Sequence, residues 1–205
     1  MSVFYTVSYR IGFHPWEDLA GHPPFADQLL SLVAREAHGV EPPYGRAPDL
    51  GCGSAVWGVQ LAQRGWQVTG VDNVGRALER AEQRIREAGV QMALIHGDVT
   101  RLHESEIGSG YRLLLDTGTF HGLNRQERLA MGREVSAVAS DDAALLLDCF
   151  APGHRGPLPR GCTRADVEDA FPAWEITDAV IADSDPDPLA RALRFDEVFY
   201  RLTWR

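Results

Sequence analysis

Short apolar runs alternate with longer segments whose apolar residues recur every three or four positions, and this alternation governs most of the chain. Phe25, Leu29, Leu32 and Val33 give Pro24–Ala37 the stripe of an amphipathic helix. After a loop punctuated by Pro42, Pro43, Gly45 and Pro48, the pattern predicts helix over Val56–Arg64, strand over Gln67–Val71, helix over Val74–Ala88 and strand over Met92–His96. Leu113–Asp116 is a continuous apolar run ending in an acid, which predicts a strand buried on both faces. Asn124 with Glu127 three residues on marks a helix start running to about Ala139, and Thr163 with Asp166 marks another leading into Val167–Phe171. Ala143–Cys149, Trp174–Ile181 and Glu197–Thr203 complete the expected strands. Such alternation builds βαβ units, and hence a mostly parallel sheet with helices on its faces. Residues 1–22 are rich in aromatics but show no clear period. They read as a cap, giving one domain with a cap segment and helix over 1–45 and a core over 46–205.

Composition narrows the function. A chain of 205 residues suits one domain. With 44% hydrophobic and 24% charged residues it is neither disordered nor collagen-like. Its formal net charge of −9, without clustered cations, argues against a nucleic-acid partner. No window supplies the ~20 apolar residues that span a bilayer, and the first residues lack a signal-peptide pattern. Three cysteines form no disulfide framework and suit a reducing cytosol. The expectation is a cytoplasmic protein, monomer or homodimer, acting on a small molecule, with neither nucleic acid nor membrane as partner.

The densest local signal is Asp49-Leu50-Gly51-Cys52-Gly53-Ser54-Ala55, a strand feeding a helix. Glycines at 51 and 53 permit a tight turn, and the helix N-terminus beyond offers free N–H groups. Asp72 closes the next strand about 20 residues past Gly51, where a doubly wound sheet puts the carboxylate that accepts ribose hydroxyls. A dinucleotide fingerprint requires a third glycine where Val56 stands, and it has no use for an acid at Asp49. A carboxylate there suits the cationic amino-acid end of a ligand. Ala55 occupies another frequent glycine place, which is tolerable if its backbone stays helical. Pro48, lacking an N–H, requires the first strand to be short or to begin at Asp49.

These residues, with Val68-Thr69-Gly70-Val71-Asp72 and His96-Gly97-Asp98-Val99, resemble the class I S-adenosylmethionine-dependent methyltransferases. Tyr9-Arg10-Ile11-Gly12-Phe13-His14-Pro15-Trp16-Glu17, the run Asp116-Thr117-Gly118-Thr119-Phe120-His121-Gly122-Leu123 and Gly156-Pro157 are similar to the thiopurine-methyltransferase-like branch, which modifies small molecules. The resemblance implies a Rossmann-like, doubly wound α/β fold with a mostly parallel seven-stranded sheet and its last strand antiparallel. It implies S-adenosylmethionine as cofactor and S-adenosylhomocysteine as product. Gly51, Cys52 and Gly53 would cradle the methionine end, with Asp49 near it; Asp72 would meet the ribose, Asp98 with the Val99 backbone the adenine edge, and Asn73 is a further cofactor-binding candidate. Asp116 would lie beside the methionine moiety, with Thr117 a further cofactor-binding candidate, and Trp16 against the cofactor from the cap.

Methyl transfer from a sulfonium needs an aligned acceptor in a dry site more than a dedicated base. His121, just after the fourth strand, is the candidate base for acceptors still protonated, or else a structural histidine. Tyr9, Phe13 and Phe120 are candidates for the acceptor pocket; each also reads as ordinary core. The loops 151–161 and 183–188 would select the acceptor. No histidine or cysteine set has metal-ligand spacing. Two other readings stand beside the methyltransferase: an NAD-dependent oxidoreductase, and a cofactor-binding or regulatory module without catalysis.

Overall fold

The computed structural model describes residues 3–14, 16–17, 23–153, 161–182 and 196–205. Among the described residues, six helices, α1 (Val3–Ile11), α2 (Pro23–Ala37), α3 (Val56–Gln63), α4 (Gly75–Ala88), α5 (Arg125–Val138) and α6 (Arg164–Ala170), flank one sheet. Its seven strands are β1 (Arg46–Leu50), β2 (Gln67–Asp72), β3 (Met92–His96), β4 (Tyr111–Thr117), β5 (Ala139–Phe150), β6 (Trp174–Ile181) and β7 (Glu197–Trp204). They lie in the order β3-β2-β1-β4-β5-β7-β6. The first five run parallel, and β7 runs antiparallel between β5 and β6. The expected doubly wound α/β architecture, with its last strand antiparallel, is the one observed. No helix of the described residues is long and apolar enough to cross a membrane.

Each face of the sheet has its own core. Leu114, Leu145, Leu147 and Cys149 pack with Met131 and Val135 of α5 and with Val167, Phe171 and Trp174. Leu113, Leu115, Leu146 and Phe199 pack on the other face with Phe25, Leu29 and Val33 of α2 and with Trp57 of α3. Strand residues alternate between two apolar layers, which is why Leu113–Leu115 reads as unbroken hydrophobic sequence. Both predicted caps form full capping boxes, Asn124 with Glu127 and Thr163 with Asp166.

Two expectations need correction. Residues 3–11 form a helix where no period was visible. Tyr9 is buried while Val7 and Ile11 on the same helix are 47% and 70% exposed, so apolar residues ring the helix and blur its stripe. Pro48 lies within β1, which is short but does not begin at Asp49. Arg46 pairs with Tyr111 and Asp49 with Leu115, so β4 carries one extra residue opposite Pro48. The missing N–H falls at that irregularity rather than in a regular ladder.

Candidate active site

The strand order reverses between β1 and β4, and such switch points open a crevice at the carboxyl ends of the strands. The turn after β1 and the turn after β4 meet there. Gly51 has φ +71, and a Cβ on it would lie 1.8 Å from Thr119 Oγ1, whose hydroxyl donates to the Leu50 carbonyl at 3.1 Å. Gly53 has φ +53, and a Cβ there would meet the Tyr9 hydroxyl at 2.6 Å. Both glycines are therefore required by the protein's own packing.

Ala55 departs from its expected conformation. It sits in the left-handed region, φ 58 and ψ 32, alone among the non-glycine residues described. The helical backbone anticipated for it is not adopted, and an alanine bears strain of ~1–2 kcal/mol in that conformation. The chain reverses there because α3 must leave the turn sharply to cover the sheet.

Four carboxylates surround the crevice. Asp72 accepts from the Gly53 N–H and from the Val74 N–H, each at 2.8 Å, tying the glycine turn to the start of α4. Burial raises its pKa against the pull of these bonds. Asp98 accepts from the Thr100 N–H and hydroxyl and is half-buried beside the buried Val99. Asp49 is 1% exposed, and its Oδ2 has no hydrogen-bond partner. Burial pushes its carboxyl up to about 7, opposed by the Gly58 N–H and aided by Asp116 and Asp72. Asp116 is wholly buried: Oδ1 accepts from Gly118 and Thr119, and Oδ2 from Phe120. Burial again raises its carboxyl to about 7, against those three bonds. Its side chain shapes the turn that carries Thr117, which is half-buried. Asn73, also half-buried, offers its carbonyl to His96 Nε2 at 3.1 Å.

The turn's own N–H groups are engaged. Gly51 and Cys52 donate to the Val71 carbonyl and Gly53 donates to Asp72. Phosphate-binding loops need such donors free. Cys52 is a buried filler whose thiol pKa is raised well above its ordinary value by burial.

From above, α1 and the following turn close over this end of the sheet. Trp16 Nε1 donates to the Tyr9 hydroxyl at 3.3 Å, and the Trp16 ring meets Tyr5 and Tyr9 edge-on at 5.1 and 5.7 Å. Burial raises the Tyr5 and Tyr9 phenols well above the ordinary range. Glu17 Oε2 pairs with Arg80 and Arg84 at 3.1 and 3.2 Å, and Arg84 in turn donates to the Ser54 carbonyl and hydroxyl. This latch of Glu17, Arg84 and Ser54 joins cap, helix and glycine turn. Glu17 stood in a recognisable motif, but Arg84 reads in sequence as one more surface cation.

Other candidates are placed differently. Phe13 is 52% exposed and apart from the aromatic cluster. Phe120 is completely buried, packing on Phe171 under Arg128. His121 is 3% exposed; its Nδ1 accepts from the Phe150 N–H at 3.1 Å, and its ring stacks on Phe150 at 4.3 Å. A ring nitrogen that accepts a backbone N–H carries no proton itself, which puts the ring proton on Nε2. Pro15, Gly156-Pro157 and the loop 183–188 lie outside the described residues, as does 154–160 of the other expected selector loop. No group of three or more metal-ligating side chains gathers among the described residues.

A methyltransferase-domain family profile matches residues 48–142, from β1 into β5. Over 70 residues, 34% of this chain, the sequence is 39% identical to ribosomal RNA small subunit methyltransferase C of Alcanivorax borkumensis; the match spans 21% of that protein. Among solved structures, a 1,6-didemethyltoxoflavin-N1-methyltransferase from Burkholderia thailandensis superposes with TM-score 0.75 at 16% identity, covering 98% of this chain and 85% of that one. Magnesium protoporphyrin IX methyltransferase from Synechocystis PCC 6803 gives TM-score 0.74 at 17% identity, covering 100% and 99%. An N-methyltransferase from Bradyrhizobium japonicum WM9 gives 0.71 at 13%, covering 91% and 90%. At these identities the structures speak for the fold, and the family profile speaks for its glycine-turn half. Residues 48–142 thus match a methyltransferase domain, and the whole chain shares the fold of these methyltransferase structures.

Proposed function

We propose that this protein transfers the methyl group of S-adenosylmethionine to a nitrogen, oxygen or sulfur atom of a small, aromatic or heterocyclic molecule. The observation that carries this reading is a switch-point crevice ringed by carboxylates whose glycine turn has spent its N–H donors internally. Such a site favours a ligand that is cationic and free of phosphate. The cofactor, when bound, supplies a methyl group already activated by sulfonium charge.

The chain's own residues supply binding, alignment and dryness. Asp72 is assigned the ribose hydroxyls, since each of its oxygens has a lone pair beyond the backbone bond it accepts. Asp98, Asn73 and the Val99 backbone are assigned the adenine side. Asp49 supplies negative potential beneath the cationic end, and Asp116 holds the turn of Thr117 in place of touching the ligand. Tyr9 and Trp16 roof the site and exclude water, which strengthens every electrostatic contact within. Catalysis is by positioning; His121 supports the wall and no proton passes through it.

Calorimetry with S-adenosylhomocysteine and with NAD separates this reading from a dehydrogenase: the former binds and the latter does not. Asp72→Ala weakens S-adenosylhomocysteine by ~1.5–3 kcal/mol, the worth of a hydrogen bond to a charged group. Unchanged affinity in a folded variant refutes the ribose assignment. Transfer of labelled methyl to a panel of thiols, phenols and heterocycles, but not to ribosomal RNA, is expected from the net charge of −9. Labelled RNA would instead favour the activity named for the partial relative.

A further inference from the structure

The carboxyl end of the sheet holds a buried acid that neither the turns nor the cofactor assignments use. Asp148, on β5, is 4% exposed, and its Oδ1 has no hydrogen-bond partner. It lies in register with Thr117 of β4 on one side and with Phe199 of β7 on the other. Neighbours in register share a sheet face, so its side chain leaves from the face that carries Leu146, Phe199 and α2. At that face's carboxyl end it stands next to Thr117, the last residue of β4. Glu197, 3% exposed and two residues before Phe199, belongs to the same face. Among the described residues no arginine pairs with Asp148. Phe150, two residues on, stacks with His121 and supplies an aromatic flank.

A buried carboxyl left without a donor costs free energy that packing does not return. Burial, with Glu197 beside it, holds the Asp148 carboxyl well above its ordinary range. We propose that Asp148 is the specificity-determining residue for the acceptor: it takes a hydrogen bond from the N–H of a nitrogen heterocycle or heteroaromatic amine seated beyond Thr117. Such acceptors are thereby selected over their oxygen isosteres, because a site built to meet an N–H rejects the analogue that leaves its acid unpaired. This rests on the methyltransferase reading above and narrows its substrate class.

The test begins with S-adenosylhomocysteine-loaded protein in a calorimeter. If the nucleoside itself fails to bind, the parent reading fails and the present one goes with it. Once loaded, the protein is titrated with benzimidazole and 1H-indazole, and in parallel with benzoxazole and 1,2-benzisoxazole, which lack the N–H. The N–H azoles are expected to bind about tenfold or more tightly than their oxygen isosteres. Asp148→Leu, which removes the acceptor, is expected to erase that preference while S-adenosylhomocysteine affinity and the thermal midpoint with it bound stay near wild type. Equal affinity of azoles and isosteres for wild-type protein overturns the proposal whether or not the variant folds. So does a preference that survives in Asp148→Leu, and so does failure of both classes to bind loaded protein.

Discussion

Ala55 sits where a glycine would be at ease, and its methyl group is fully buried in the turn that launches α3. Ala55→Gly relieves left-handed strain but loosens the unfolded chain, so the net gain is ~1 kcal/mol or less. Urea denaturation should show a higher midpoint with unchanged slope. His121 makes the opposite case. Replacing it by alanine strands the Phe150 N–H, with a loss of ~1–3 kcal/mol in stability from the unmet donor. The loss of turnover in His121→Ala should be the same at every pH if the imidazole serves only to hold the Phe150 backbone. A pH–rate profile that loses one limb would restore it as a base.

At the scale of elements, the cap is joined to the core through ion pairs as well as rings. Glu17 is nearly enclosed while Arg80 and Arg84 are partly open to water, so solvent screens the pairing and its worth is ~0.5–1 kcal/mol. Glu17→Gln should raise amide exchange across α1 while protection of β1 and β2 stays unchanged. Every strand of the sheet was legible in the sequence, as were α2 to α5 and both capping boxes, because apolar period and cap chemistry are local properties. The glycine turn and its acids were legible for the same reason: only a few residue types can occupy such positions. Helix α1 was not, since its apolar residues serve two sides. Nor was the enclosure of Asp116 and Phe120, because sequence gives a residue's type and its neighbours but not what its side chain meets across the fold. Asp148 reads as the polar end of an apolar run, and only the sheet register brings it beside Thr117.

The molecule as a whole gathers negative charge at one end of its sheet. Asp49 and Asp116 titrate at about 7 when folded against an ordinary value of 3.8. The folded state then holds protons that the unfolded chain has released, so these acids make stability fall as pH rises between the two values and level off above about 7. Asp72 and Asp148, also raised, act in the same direction. Denaturation should find the protein less stable at pH 8 than at pH 5.5, with Asp49→Asn flattening the slope. A steeper slope in that variant would mean that the burden lies elsewhere. Strand β7 carries a consequence of another kind. It is wedged between two strands that precede it, and β6 touches the sheet only through it. During synthesis, then, the long apolar margin of β5 stays unzipped until residues 197–204 have emerged, and that interval is when the nascent protein is most open to mispairing with another copy.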